Sequence, residues 1–292
     1  MTHDVRILHA ADLHGNLTHY RELLSLAVAK QADCVVMGGD LLPGGISISS
    51  LAEVQRRFLN DHLRPLLEHF KDTNPEKTVY LMMGNDDLAI NMDQLERMAG
   101  EGLLRLLHLR MYTLSDSLFI AGYGCVPPTA FMIKDWERLD AHRSMVQDRS
   151  YQAYSSGSEG INVVNTHEWF LSHNTIEEEL SMLARLSNPA HTVYVSHAPP
   201  YATKLDVLFN GRHIGSRSVR MFIEQHKPPL TLHGHIHESH HMTDEIKDCL
   251  GPTVCINPGQ SRQVLHAVTI DMAGNEVHRI VSYPRKETVF SR

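Results

Sequence analysis

Five short polar clusters carry side chains able to do chemistry. They are Asp12-Leu13-His14, Gly38-Gly39-Asp40, Gly84-Asn85-Asp86-Asp87, Ser196-His197 and Gly234-His235-Ile236-His237. Their donors are carboxylate oxygen, imidazole nitrogen and amide oxygen. That set suits borderline or hard divalent metals such as manganese, iron, zinc or cobalt. No cluster contains a thiolate, so a structural zinc site of the cysteine type does not fit. Glycines precede Asp40, Asn85 and His235 and let the backbone turn sharply there. His235 and His237 alternate, so on an extended backbone they can address two different centres.

Each cluster stands just past the C-terminal end of a predicted strand. Strands are expected at residues 5–9, 33–37, 78–83, 118–122, 161–166, 192–196, 230–233, 253–256, 266–270 and 276–282, from short apolar runs. Helical stripes fall at 16–30, at 49–70 with Pro65 splitting or kinking the run, and at about 91–100, 174–187 and 216–227. Ser216 and Ser218 are candidate caps of the last helix. The opening third alternates strand and helix, which implies parallel strands covered by helices. In an open parallel sheet the C-terminal strand ends share one edge, where ligands bind. Five sequence-distant clusters would meet there. Singly, each has a plain structural reading: Asp40 as a turn carboxylate, Asn85 as a loop residue, His197 as a hydrogen-bonded core histidine. His233, His235, His237, His240 and His241 also read as a loose metal-scavenging tract. The ordered set is far more specific than any member.

The chain of 292 residues shows no repeat or interdomain linker and reads as one domain, with an irregular insertion at about 127–160 carrying one helix near 135–149. Its formal net charge of −7 argues against long nucleic acid as a partner, whose phosphates want a basic surface. No run approaches a membrane span, and the opening residues do not read as a signal peptide. Cys34, Cys125, Cys249 and Cys255 form no CxxC pair and read as reduced, mostly core residues of a cytoplasmic protein. The count of 21 histidines makes their placement the question.

The ordered set DLHG, GGD, GND, SHAPP and GHIH resembles the calcineurin-like metallophosphoesterase superfamily, from residue 5 to about 260. SHAPPYATKLDVLFNGRHIGS, with GHIHE and INPG after it, is similar to a branch of small single-domain bacterial and archaeal members that has animal relatives. The resemblance implies an α/β fold, a four-layer α/β/β/α sandwich of two mixed sheets. It also implies two divalent metal ions (manganese or iron first, with zinc, magnesium or cobalt as alternatives). Asp12, His14 and His237 would hold one ion and Asn85, His197 and His235 the other, with Asp40 bridging. The implied reaction is hydrolysis of a small phosphorylated substrate, by in-line attack of a metal-bridging hydroxide without a covalent intermediate.

The sequence departs from the family at one place. Many members have Asn-His-Asp or Asn-His-Glu after the third strand, whereas here the triplet is Asn85-Asp86-Asp87. The usual leaving-group acid is thus replaced by Asp86, which shifts the expectation from monoesters to diesters. Asp86 is a weak acid or water-orienting group, a metal-water ligand, or a structural hydrogen-bonding group. Asn85 also counts as a substrate contact. His213, in Gly211-Arg212-His213-Ile214-Gly215, is a candidate substitute phosphate contact or else a surface loop histidine. Arg212 and Arg217 read as phosphate partners or solvated arginines, and Trp136 and Tyr154 as base-stacking or packing residues. The competing functional reading is an assembly subunit on a degenerate scaffold.

Overall fold

The computed structural model describes residues 5–45, 47–142, 144, 152–284 and 286–289. The first strands are β1 (Val5–Ala10), β2 (Cys34–Gly38), β3 (Thr78–Met82), β4 (Arg105–Leu106), β5 (Met111–Thr113) and β6 (Phe119–Tyr123). A hairpin follows, β7 (Ala153–Gly157) and β8 (Gly160–Val164), then β9 (Thr192–Ser196) and β10 (Leu230–Leu232). The last strands are β11 (Lys247–Leu250), β12 (Thr253–Ile256), β13 (Ala267–Ala273), β14 (Glu276–Tyr283) and β15 (Lys286–Val289).

One sheet runs β15-β14-β13-β1-β2-β3-β4 and the other β11-β12-β10-β9-β6-β5. Both are mixed. β1, β2, β3 and β4 are parallel while β13 joins β1 antiparallel. In the second sheet β6, β9, β10 and β12 are parallel, with β5 and β11 antiparallel at its edges.

The period-2 alternation of strand side chains builds the layers. Ile7, Val36, Tyr80 and Met82 of the first sheet pack against Ile120, Val193, Val195, Leu232 and Ile256 of the second, forming the inner core. The opposite faces, with Leu8, Val35, Met37 and Leu81 on one sheet and Ala121, Tyr123 and Tyr194 on the other, belong to the helix-covered core. Helix α1 (Leu17–Ala29) buries Tyr20, Leu23, Leu24 and Ala27, and is capped by Asn16, whose side chain accepts from His19 N. The architecture is the α/β/β/α sandwich. Among the described residues no helix is long and apolar enough to cross a membrane.

The single helical stripe expected at 49–70 is three consecutive pieces: α2 (Ile48–Phe58), a π turn at Leu59–Leu63 and α3 (Arg64–Thr73). Pro65 has no N–H to give an interior helix, and the wider turn lets the chain re-enter α geometry with the proline in its first turn. Helix α4 (Met92–Gly100) follows β3, and α5 (Thr166–Leu171) follows the hairpin. Helix α6 (Ile176–Leu186) opens on a capping box of Thr175 with Glu178. Helix α7 (Arg217–His226) is capped by Ser216, which accepts from Val219 N.

The strand expected at 161–166 is β8, which among the described residues pairs with β7 and joins neither large sheet. One expectation changes. Residues 135–142 form turns rather than a helix, and residues 143 and 145–149 of that segment lie outside the described residues, as does Tyr151. The turns there are fixed by buried polar groups instead. Lys134 and Glu137, 1% and 0% exposed, pair at 2.9 Å, and Asp135 accepts from Ala89 N at 2.8 Å and Ser156 N at 2.7 Å.

Candidate metal centre

The clusters come together across two sheets, not along the edge of one. Asp12 and His14 follow β1, Asp40 follows β2 and Asn85 follows β3. His197 follows β9, and His235 and His237 follow β10. The parallel ends of both sheets point to one rim, so the seven residues meet there. Backbone bonds zip the loops together: Asp12 N to Gly39 O at 2.9 Å, His14 N to Asp40 O at 2.9 Å, Gly15 N to Leu41 O at 2.7 Å.

Two groups of donor atoms result. Atoms of Asp12, His14, Asp40 and His237 lie within 4.8 Å of one another, as do atoms of Asp40, His197 and His235. Asp40 belongs to both. Asn85 brings a buried amide: its Nδ2 donates to Asp86 Oδ1 at 2.9 Å, and its Oδ1 has no hydrogen-bond partner. His197 Nε2 is likewise buried and without one, facing Asp40 Oδ2 at 3.3 Å, while its Nδ1 sits 2.7 Å from Gly38 O. That outer bond places the Nδ1–H outward and turns Nε2 toward Asp40, where a cation would take the place of its proton, the arrangement of a ligating histidine. His14 Nε2 and His237 Nε2 approach to 3.2 Å. Buried acceptors without donors are costly, and the two here, Asn85 Oδ1 and His197 Nε2, belong to the loops around Asp40. The donor types of the two groups fit a divalent cation at each.

The backbone is bent to achieve this. Asp12, His14, Asp40 and His235 all have positive φ, at 57°, 42°, 51° and 67°. Non-glycine residues visit that region rarely, and such strain concentrates at functional sites. Gly39, at φ 105°, has room for no side chain, because a Cβ there would overlap His197 Nδ1.

The buried carboxylates and imidazoles act on one another. Burial opposes the charged form of His237, yet the Asp12 carboxylate overrides it and raises the pKa to about 9. His197 reaches about 9 in the same way, with burial outweighed by Asp40. For His235 burial and then the His197 charge outweigh the Asp40 and Asp12 carboxylates and lower it to about 4. Burial, then the neighbouring Asp40 charge, raises Asp86 to about 7.

Asp86 borders the centre. Its Oδ2 lies 3.7 Å from His14 Nδ1, its N–H donates to Asp40 Oδ1 at 2.8 Å, and its side chain is one-third exposed. It lines a cavity of about 850 Å³ that also touches Asp12, His14 and His237. His213 does not line that cavity; its Nδ1 sits 2.7 Å from Asp206 Oδ1, and the Asp206 carboxylate accepts from Thr203 N on Oδ1 and from Ala202 N and Gly215 N on Oδ2. Arg217 lies over the Tyr201 ring, 3.7 Å from its centroid, and Arg212 is exposed. Trp136 is buried edge-on to His108, and Tyr154 OH donates to Gln152, so both rings belong to packing and the hairpin.

Three residues not singled out from the sequence support the centre. Asp87 is fully buried and accepts from Leu41 N, Leu42 N and Gly84 N, locking the loops after β2 and β3 together. Its place in the GND cluster was the available signal. His9 spans the two sheets, with Nε2 2.9 Å from His233 O and Nδ1 3.2 Å from Val36 O. A neutral imidazole has one N–H, and the shorter contact takes it. Gln260 Nε2 donates to Ala11 O at 3.0 Å. His233 is no loose metal-scavenging residue: it is buried against Ser196 O, Ala198 O and Thr231 Oγ1. Cys34, Cys125 and Cys255 are free and buried, Cys249 free and exposed.

The family model described as calcineurin-like phosphoesterase matches residues 5–239. An uncharacterised protein of Methanocaldococcus jannaschii is 28% identical over 140 residues, which is 46% of this chain and 62% of that protein. The chain therefore spans less than two thirds of the length of this curated relative. Among solved structures, a protein of Thermus thermophilus matches with a TM-score of 0.57 at 16% identity, covering 99% of each chain. A dimetal phosphatase from Danio rerio matches with a TM-score of 0.54 at 11% identity, covering 98% of this chain and 96% of its own. At such identities the likeness concerns the fold. The strand-end clusters, the sandwich that gathers them and the match over most of the sequence agree: the chain belongs to the calcineurin-like phosphoesterase family.

Proposed function

We propose that this chain is a one-domain, dinuclear metal-dependent phosphodiesterase acting on a small phosphorylated substrate. The observation that carries the reading is the pair of donor groups sharing Asp40. Asp12, His14 and His237 would hold one ion, Asn85, His197 and His235 the other, and Asp40 both. Manganese or iron suits the mixed oxygen and imidazole donors. A divalent pair supplies Lewis acidity to the phosphoryl oxygens and lowers the pKa of water.

The residues of the chain do the rest. Gly38 O and the backbone of His235, bonded to Asp12 at 3.0 Å, hold the ligands in their orientations before substrate arrives. Asp86 is assigned to orient the leaving group, from its place on the cavity wall between His14 and Asn85. Its carboxylate also favours diesters, since a diester brings one negative charge and a monoester nearly two at neutral pH. His213, oriented by Asp206, is assigned as an outer phosphate contact. The free cysteines support a cytoplasmic location.

The test is metal content and turnover of bis(4-nitrophenyl) phosphate against 4-nitrophenyl phosphate, in wild type and Asp40→Ala supplied with manganese. Wild type should hold two equivalents and prefer the diester, and the variant should lose both metal and turnover. Equal activity in the two proteins would remove the assignment.

A further inference from the structure

Beyond the metal-facing residues, the cavity beside the centre has a polar wall of Asn16, Gln260, Ser261 and Arg262. Most donors and acceptors on that wall are already committed within the chain. Asn16 Oδ1 accepts from His19 N at the start of α1, and its Nδ2 donates to Arg262 O at 3.1 Å. Gln260 Nε2 donates to Ala11 O and His266 O, while its Oε1 accepts from Ser261 N and His266 N. Ser261 Oγ accepts from Gln263 N and Val264 N, and its O–H reaches Gln263 Oε1 at 3.5 Å. Arg262 differs. Among the described residues its guanidinium makes no hydrogen bond or ion pair, and it is the only lysine or arginine on the cavity wall.

An exposed arginine is ordinarily solvated, and two features set this one apart. Its carbonyl is tied to Asn16 and the neighbouring Gln260 to Ala11, so the base of the side chain is fixed relative to Asp12 and His14. The two acids of the cavity are also turned away from it, to the metal rim: Asp12 approaches His237 Nε2 at 3.5 Å and Asp86 approaches His14 Nδ1 at 3.7 Å. A guanidinium presents a planar fork that matches phosphate and carboxylate oxygens. A cavity of about 850 Å³ has room for a group beyond the scissile phosphate.

We propose that Arg262 receives a second anionic group of the substrate, carried beyond the phosphate held at the centre. The substrate class is then a phosphodiester with a further phosphate or carboxylate, rather than a diester of uncharged groups. This rests on the phosphoesterase reading above, and the experiment separates the two.

Calorimetry on the manganese-loaded protein compares short alkylphosphonates of increasing length, ended by a carboxylate or a sulfonate, each against its uncharged carboxamide or sulfonamide. At least one charged probe should bind about tenfold more tightly than its uncharged counterpart, which is about 1.4 kcal/mol. The series in which the gain is larger tells a carboxylate from a tetrahedral, phosphate-like anion. Arg262→Gln, altering an exposed residue, should bring that ratio below about threefold. No preference for charge at any length in wild type overturns the second-anion site while the phosphoesterase reading stands. So does a preference that survives in Arg262→Gln. An equal loss for charged and uncharged probes in that variant places Arg262 on the metal-held phosphate and overturns the site too. Failure of every phosphonate to bind removes both readings.

Discussion

Gly84→Ala should damage the centre while leaving every proposed ligand residue in the sequence. Gly84 opens the GND turn, and a Cβ there would lie 2.5 Å from Asp40 N and 2.6 Å from His197 Nε2, and would overlap Asp40 Oδ1, where ordinary contact begins at 3.4 Å. Two of the three obstacles cannot swing aside: one is backbone, and the His197 ring is tied to Gly38 O. The loop after β2 must move by most of an ångström. Overpacking of this kind costs about 1–3 kcal/mol. Because Asp40 serves both donor groups, a displacement of that size should cost at least about tenfold in metal affinity, the scale seen when ligand-orienting partners are lost. Gly100→Ala is the control. Gly100 ends α4 without positive φ, and a methyl group added there would meet nothing within 4 Å, so alanine should stabilise by about 0.4–1 kcal/mol. The assays are thermal midpoint and metal content at fixed free manganese. A Gly84→Ala protein with wild-type midpoint and metal content would refute the steric reasoning, since no relaxation of the kind described could then be needed.

Asp87→Ala should cost at least about 3 kcal/mol, because the N–H groups of Leu41, Leu42 and Gly84 lose their shared acceptor in a buried place; the urea midpoint reports it. Lys134→Met should cost about 3–5 kcal/mol by leaving Glu137 buried without its counter-charge, and restoring much of it in Lys134→Met/Glu137→Leu would identify the ion pair as the cause. His108 stays neutral down to about 3 in the folded chain, through burial and then the charges of Arg138 and Arg110. Its unfolded form takes up a proton below about 6.5, so this stability is intact above that pH and is lost as pH falls towards 3. His108→Leu should make the acid decline shallower by an amount of order 1 kcal/mol at pH 5, read from urea midpoints at pH 5 and 7, while lowering stability at pH 7 by stranding Gly124 N.

Much of this was legible in the residue pattern, and the reasons differ by element. Strands at 192–196 and 253–256 have the bounds expected, because each is a continuous apolar run buried on both faces. The short strands β4, β5 and β11 were invisible, since two to four residues carry no periodicity and pair only because a longer strand is already there. The inserted segment was opaque for another reason. Its order comes from Lys134, Asp135 and Glu137, charged residues that read as solvated until their burial and partners are known. The site behaved differently again. That polar clusters followed strands could be read directly, but strand ends alone suggested one sheet edge. Which sheet each strand joins depends on long-range pairing such as β1 with β13, which no local pattern encodes.

The division between two sheets has a mechanical consequence. Asp12, His14, Asp40 and Asn85 ride on the first sheet, His197, His235 and His237 on the second, so each donor group draws on both. The distance between the groups is therefore set by how the sheets pack. That packing is fixed by a dense apolar interface and by His9, whose ring crosses from β1 to His233 O. Interiors at crystal-like density transmit small volume changes. The left-handed backbone at Asp12, His14, Asp40 and His235 costs about 1–3 kcal/mol per residue, and a loop alone would relax it. Anchored at both ends by strands of a rigid sandwich, it cannot. The sandwich thus acts as the clamp that keeps these strained donor residues in place, and if they hold metal as proposed, a core substitution that shifts the sheets should loosen metal binding before it unfolds the chain.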